Sequence, residues 1–194
     1  MQPLDHRARL EEIARRLAGR RRRELAIPGF RPAAVLLGLL ERQGDAVVPM
    51  IVRPEGMRAH SGQIALPGGV RDPQDESLVA TALREAEEEL GIAPDQVRPL
   101  GMLDDVPTPT GFVITPVVAE IAGPCCYAAN PDEVAEVFEA PLDLFADPAH
   151  AEDMGERRAM GMVYRLRAYP FEGRRIWGAT ARVMESLFEL LRAG

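Results

Sequence analysis

Lysine is absent from this 194-residue chain: all 23 basic residues are arginine, set against 30 acidic ones, for a formal charge of −7. A net acidic protein lacks the basic face that nucleic acids and anionic membranes require, so both are excluded as expected partners. The missing lysine reads as codon bias. Cysteine is nearly absent too. Cys125 and Cys126 are adjacent, a spacing that does not favour a mutual disulfide, so no disulfide framework is expected and a reducing cytoplasm fits. Long apolar runs are missing. Stretches such as Pro32–Leu40 stop well short of the ~20 residues of a membrane span, and Met1–Arg23 carries no apolar leader core. Aromatics are scarce at 5%, and the single tryptophan, Trp177, reads as a core residue before it reads as a base-stacking platform. His6 and His150 have no partners in the pattern.

What is present is globular: 46% hydrophobic and 27% charged residues, with a length that suits a single domain over residues 1–194 carrying an N-terminal helical extension over about residues 1–30. Leu10, Ile13, Ala14 and Leu17 recur at helical spacing between Asp5 and Gly19, which predicts a helix over Asp5–Leu17. The run Arg20–Arg23 after it is either a solvated turn or a phosphate contact. Pro32–Arg53 predicts an antiparallel hairpin turning at Gln43–Asp45, then a loop over Pro54–Gly62 and a short strand at Ile64–Leu66 that ends in Pro67-Gly68-Gly69. Glu76–Leu90 predicts a helix stopped by Gly91, with Leu83, Ala86 and Leu90 on its apolar stripe. Val97–Val106 and Phe112–Ile121 read as strands, and Glu133–Phe138 as a strand or a short helix. Pro141–Phe145 reads as a helical turn, and Ala149–Met160 is polar and weakly patterned. Met162–Tyr169 and Arg174–Trp177 suit a hairpin, and Thr180–Leu191 a closing helix. Strands and helices mix without a βαβ rhythm, so the expected class is α+β, an α/β/α sandwich.

The sharpest local feature is Arg84-Glu85-Ala86-Glu87-Glu88-Glu89-Leu90-Gly91-Ile92. Neighbouring carboxylates repel, so this is a poor way to stabilise a helix. Glu85, Glu88 and Glu89 stand at i, i+3 and i+4 and share one face, while Glu87 points elsewhere. Converging oxygen ligands are what a hard divalent cation takes; the bland alternative is a solvated acidic face with Arg84 as partner.

Together with the Gly68-Gly69 turn upstream, the segment Gly69 … Glu76 … Arg84–Ile92 resembles the Nudix box, Gly-x5-Glu-x7-Arg-Glu-U-x-Glu-Glu-x-Gly-U with U apolar. The helical half matches throughout. In the other half Glu76 stands the required eight positions before Arg84 but seven after Gly69. An added residue in the Asp72–Asp75 loop would explain this, and leaves the role to Glu76 or to Asp75. Arg53-Pro54-x3-Arg58-x3-Gly62-x3-Leu66-Pro67-Gly68-Gly69 is also similar to the signature Arg-Ser-x3-Arg-x3-Gly-x3-Phe-Pro-Gly-Gly of coenzyme A diphosphatases, with Pro54 for Ser and Leu66 for Phe. The similarity runs on through Thr110–Val118, Asp132–Val134 and Ile176–Ala181.

This resemblance implies a Nudix fold with a mixed sheet and extra terminal helices, and Mg²⁺- or Mn²⁺-dependent hydrolysis of a nucleoside diphosphate derivative. The diphosphate repels an attacking water, and a carboxylate-held cation offsets that charge. Glu85 and Glu89 would be the principal metal ligands and Glu88 a ligand or the base, with Arg84 orienting a box carboxylate. Arg53, Arg58 and His60 would bind substrate, coenzyme A needing cationic donors for its 3′-phosphate, while Gly68 and Gly69 admit close approach. The same chemistry on ADP-ribose, dinucleotides or oxidised nucleotides is the nearest alternative, and a non-catalytic nucleotide- or coenzyme A-sensing module another. The terminal helices leave open a homodimer interface or a simple cover for the sheet.

Overall fold

In the computed structural model, residues 5–55, 62–123, 125–159 and 161–193 are described. Helix α1 (His6–Ala18) is capped by Asp5, whose carboxylate accepts the Ala8 amide. Strands β1 (Arg31–Arg42), β2 (Asp45–Val52), β3 (Ile64–Ala65) and β4 (Gly68–Val70) precede α2 (Leu78–Leu90). Then come β5 (Val97–Met102), β6 (Val106–Pro107), β7 (Phe112–Ile121), β8 (Glu136–Pro141), β9 (Glu152–Ala159), β10 (Met162–Phe171), β11 (Arg174–Trp177) and α3 (Ala179–Arg192).

The mixed sheet runs β3-β2-β1-β7-β5, with β4 and β8 joining through β1 and β2 and β6 through β7. β1 and β7 are parallel over Arg31–Leu39 and Phe112–Glu120; the other pairs are antiparallel. β2 meets β1 only near the hairpin turn, at Ala46 and Val47 opposite Glu41 and Leu40. The first half of β1 is therefore free to pair with β4, Ala34 facing Gly69. That split brings the glycine pair into the sheet.

β1 alternates between two cores, as a strand buried on both faces must. Leu37 and Leu39 face Leu10, Ile13 and Leu17 of α1 and Val183, Met184, Leu187 and Phe188 of α3. Ala34, Leu36 and Leu40 face Ala82, Ala86 and Leu90 of α2. Helices thus cover both faces of the sheet, the expected α/β/α sandwich. Each fully buried Leu or Ile there contributes roughly 1.5–3 kcal/mol.

The structure departs from several expectations. α2 begins at Leu78, not Glu76, because the Ser77 hydroxyl accepts the Ala80 amide at 3.1 Å and caps the helix there. Gly68–Val70 is a strand rather than the end of one. Glu152–Ala159 is a strand lying mostly exposed, and β8 starts at Glu136. Trp177 is 37% exposed and so is not a core residue. In the arginine run Arg21 and Arg23 are exposed, as a solvated turn requires, whereas Arg20 and Arg22 are engaged. Arg20 pairs with Asp104 and Arg22 with Asp105, while the Arg23 and Leu25 amides donate to Asp104 and Asp105. The run is stitched to the segment after β5. Cys125 is buried and Cys126 exposed, neither in a disulfide. Among the described residues no helix is long and apolar enough to cross a membrane.

Candidate active site

Three consecutive elements build the site: β4, the turn after it, and α2. Gly69 faces Glu85, and a Cβ placed on Gly69 would stand 2.5 Å from Glu85 Cδ. A side chain there would displace the Glu85 carboxylate. At Gly68, a Cβ would lie 2.7 Å from Val35 Cα, so the backbone itself occupies that space. The Gly68 amide instead donates to Glu89 Oε2 at 2.9 Å. The two glycines therefore form a cradle that a Cβ would fill, with a carboxylate of α2 against each.

Glu89 is 1% exposed, and Arg53 Nη2 lies 3.7 Å from its Oε1 while reaching the Gly68 carbonyl at 3.4 Å. Burial pushes the Glu89 carboxyl up to about 7, against the opposing pull of the Gly68 amide and Arg53, with further upward pressure from Glu85 and Glu133. Glu85 is also raised, chiefly by burial and against Arg84. Glu88 is different. Its side chain is half-exposed and held by Arg84 Nη1 at 2.9 Å. Glu85 and Glu89 are thus brought together beneath the glycine pair, whereas Glu88 stands at the solvent edge, joined to them through Arg84. Glu87 is exposed.

Arg84 is the hub. It donates to Glu85 and Glu88, each at 2.9 Å, to the Val70 carbonyl at 3.2 Å, and to both oxygens of Asp75 at 3.0 and 3.1 Å. Asp75 is buried and also accepts the Asp72 amide and the Thr81 hydroxyl. Together these donors, Arg84 first, hold its carboxyl far below the usual range. Glu76 is exposed, and its carbonyl accepts from Arg71 at 3.5 Å. Of the two residues left open in the sequence, the structure gives the contact with Arg84 to Asp75. Asp75 lies six positions after Gly69, so the irregular spacing falls between Asp75 and Arg84.

The far end of α2 is closed by Gly91, whose left-handed backbone (φ 68°) returns its amide to the helix. The Ala128 and Asn130 amides then donate to the Leu90 and Glu89 carbonyls at 2.8 and 3.1 Å. The turn that follows carries Glu133, half-buried, whose Oε1 accepts from Asn130 Nδ2 at 3.2 Å. Sequence reasoning assigned neither Asn130 nor Glu133 a role. Arg58 and His60 lie outside the described residues, as does most of the Pro54–Gly62 loop.

The donor set fits a hard divalent cation: carboxylate oxygens beside a backbone cradle, one carboxylate desolvated and waiting for positive charge. Among the described residues, no three His, Cys, Asp or Glu side chains are gathered closely enough to hold a metal as they stand. Arg84 occupies Glu85 and Glu88.

The NUDIX domain model matches residues 29–157. The chain is 38% identical to the Nudix hydrolase NudL of Photorhabdus laumondii over 159 residues, which covers 81% of this chain and 83% of that protein. It is 40% identical to NudL of Citrobacter koseri, over 81% of each. A MutT/nudix family protein of Enterococcus faecalis shares the fold across 98% of this chain and 76% of that one, at a TM-score of 0.52 and 17% identity. With the box helix, its arginine hub and its glycine cradle on the page, these matches make the chain a member of the Nudix hydrolase family.

Proposed function

We propose that this protein, a single domain over residues 1–194 working in the cytoplasm, is a Mg²⁺- or Mn²⁺-dependent coenzyme A diphosphatase that yields 3′,5′-ADP and 4′-phosphopantetheine. Nudix hydrolases generally use such divalent ions and act on small molecules. The observation that carries the reading is Arg53: the first arginine of the coenzyme A signature reaches the buried Glu89 and the Gly68 carbonyl. A cationic donor thereby stands at the edge of the carboxylate pair, where a diphosphate must come. Arg58 and His60 complete the substrate-binding proposal from the adjoining loop.

Glu85 and Glu89 are the residues that would hold the cation, with Glu88 a ligand or the acceptor of the water's proton. Bound there, the cation neutralises phosphate oxygens and acidifies water. The chain's own residues do the rest. Arg84 fixes the directions of Glu85 and Glu88, the Gly68 amide orients Glu89, and Arg53 offers its guanidinium to a phosphate oxygen.

Side-by-side hydrolysis of coenzyme A, dephospho-coenzyme A and ADP-ribose tests the substrate. The proposal expects a clear preference, about ten-fold or more for one charge-assisted contact, for the 3′-phosphorylated compound. Indifference to that phosphate, or preference for ADP-ribose, would reassign the substrate. Tight binding of coenzyme A without turnover in Mn²⁺ would support a sensing module instead.

A further inference from the structure

The single tryptophan stands at the surface on a rigid support. Trp177 is the last residue of β11 and pairs with Ala168 of β10, while its neighbour Ile176 pairs with Tyr169. Ile176 and Tyr169 are fully buried in the core shared with α3, so alternation along the strand turns Trp177 outwards. Gly178, with φ 70°, then bends the chain straight into α3. Held between a buried strand and a helix, the indole has little freedom to lose on meeting a ligand. Among the described residues, no ring, cation or hydrogen-bond acceptor meets it. A large apolar ring that is partly wet, with a free N–H at its edge, suits a binding surface.

The path of β11 fixes where that indole stands. At its start, Arg174 pairs with Glu136 of β8 and lies 4.7 Å over the Phe138 ring. At its end β11 packs against β3, and the Thr180 hydroxyl donates to the Ile64 carbonyl at 3.0 Å. Glu136 and Ile64 flank one residue of β2, Val52, from either side. β11 therefore crosses β2 at Val52 and brings Trp177 out on the β3 side, beside the strand end at which Arg53 leaves the sheet. There the Arg53 amide donates to the Gln63 carbonyl at 3.0 Å and the Gly62 amide to the Arg53 carbonyl at 3.1 Å, closing the neck of the signature loop. Arg53 and an unpartnered aromatic ring thus share one end of the sheet. In coenzyme A the 3′-phosphate sits on the ribose that carries adenine, so a loop that reads this phosphate brings the base alongside. Adenine offers an indole a flat π-face, and the pantetheine arm has none.

We propose that Trp177 is a substrate-binding residue on which the adenine ring of coenzyme A stacks. The inference rests on the coenzyme A reading above. It is tested by initial rates of coenzyme A hydrolysis in the full-length chain and by the emission of Trp177 itself, which as the single tryptophan reports on this position alone. Trp177→Leu keeps an apolar cover over Ala168 but removes the ring. Its KM for coenzyme A should rise about ten-fold while kcat stays within about two-fold, and Trp177→Phe should recover part of the loss. In the wild-type chain, 3′,5′-ADP should quench the emission saturably and 4′-phosphopantetheine should not. Val163→Ala trims the other large apolar side chain exposed among the described residues and should leave KM unchanged. Wild-type KM in Trp177→Leu, or an equal rise in Val163→Ala, overturns the proposal. So does emission unmoved by 3′,5′-ADP or moved equally by 4′-phosphopantetheine. A fall in kcat at unchanged KM overturns it as well, and would make Trp177 a structural support. Should Trp177→Leu not fold, the two emission titrations of the wild-type chain decide. A wild-type chain that leaves coenzyme A intact removes the parent reading too, whereas hydrolysis with KM and emission unmoved removes only Trp177.

Discussion

The Gly68 amide points into the α2 carboxylate row and donates to Glu89 Oε2 at 2.9 Å, inside a site where Glu89 is 1% exposed. One backbone hydrogen bond and Arg53 at 3.7 Å are modest compensation for a buried charge, and the carboxyl rises to about 7. Because the folded value lies above the unfolded one, Glu89 favours folding most below about pH 4.5, and this advantage is lost as the pH climbs to 7. Glu89→Gln should therefore raise the melting temperature of the metal-free protein at pH 8 and leave it unchanged near pH 4. The full linkage corresponds to about 3 kcal/mol. The same variant should lose hydrolysis about a thousand-fold, as expected for a ligand of an essential cation. Melting curves at the two pH values check the first outcome and steady-state rates the second.

Gly69 and Glu85 compete for one volume. Gly69→Ala puts a methyl where the Glu85 carboxylate lies, and the carboxylate must move by an ångström or more. We expect a loss of about a hundred-fold in kcat, the penalty for misplacing a catalytic group by that distance. Secondary structure should be intact by circular dichroism. Near-normal turnover would mean that Glu85 need not sit beneath Gly69.

Asp75 and Glu76 should respond differently to neutralisation. Asp75→Asn removes a buried carboxylate that pairs with Arg84 through both oxygens, for a loss of about 2–3 kcal/mol and a slackened Glu85 and Glu88. Glu76→Gln touches an exposed side chain and should be silent within about 0.5 kcal/mol. Asp75 also sets an acid limit. Its folded value is depressed, so its contribution is complete at neutral pH and vanishes as pH falls through and below the ordinary aspartate range near 3.8. Chemical denaturation of both variants at pH 7 and at about pH 2.5, between the ordinary and the depressed value, distinguishes them, the Asp75→Asn deficit shrinking at the lower pH.

Arg53→Ala should raise KM for coenzyme A about ten-fold and weaken the preference over dephospho-coenzyme A, as loss of a charge-assisted phosphate contact does. Arg53→Lys keeps the charge but loses the planar fork, and should recover only part of the deficit. Initial rates on both substrates supply the comparison.

Much of this was legible in the sequence because it is local. The spacing of Leu83, Ala86 and Leu90 marked α2, and the i, i+3, i+4 carboxylates followed from helical geometry. β4 escaped because a three-residue strand with two glycines has no alternation to detect; it exists only because β1 and β2 diverge. β9 escaped because both its faces are largely exposed, so nothing imposes a period of two. The helix start was misplaced by two residues because the Ser77 cap, not the acidic run, sets it. Asp75 could be named only as an alternative, since the contact that selects it crosses from the turn to Arg84 in the second turn of α2. Asn130 belongs to a distant turn, and only the closure of its amide over the Glu89 carbonyl brings it to the end of α2.

The most direct test of the central claim is product analysis of a coenzyme A digest in ¹⁸O-labelled water with Mg²⁺ or Mn²⁺. The account predicts 3′,5′-ADP and 4′-phosphopantetheine, with one ¹⁸O in one of the two new phosphate groups and neither product formed when the metal is chelated. Intact coenzyme A after incubation with an active, metal-loaded protein, or products lacking the label, would contradict it.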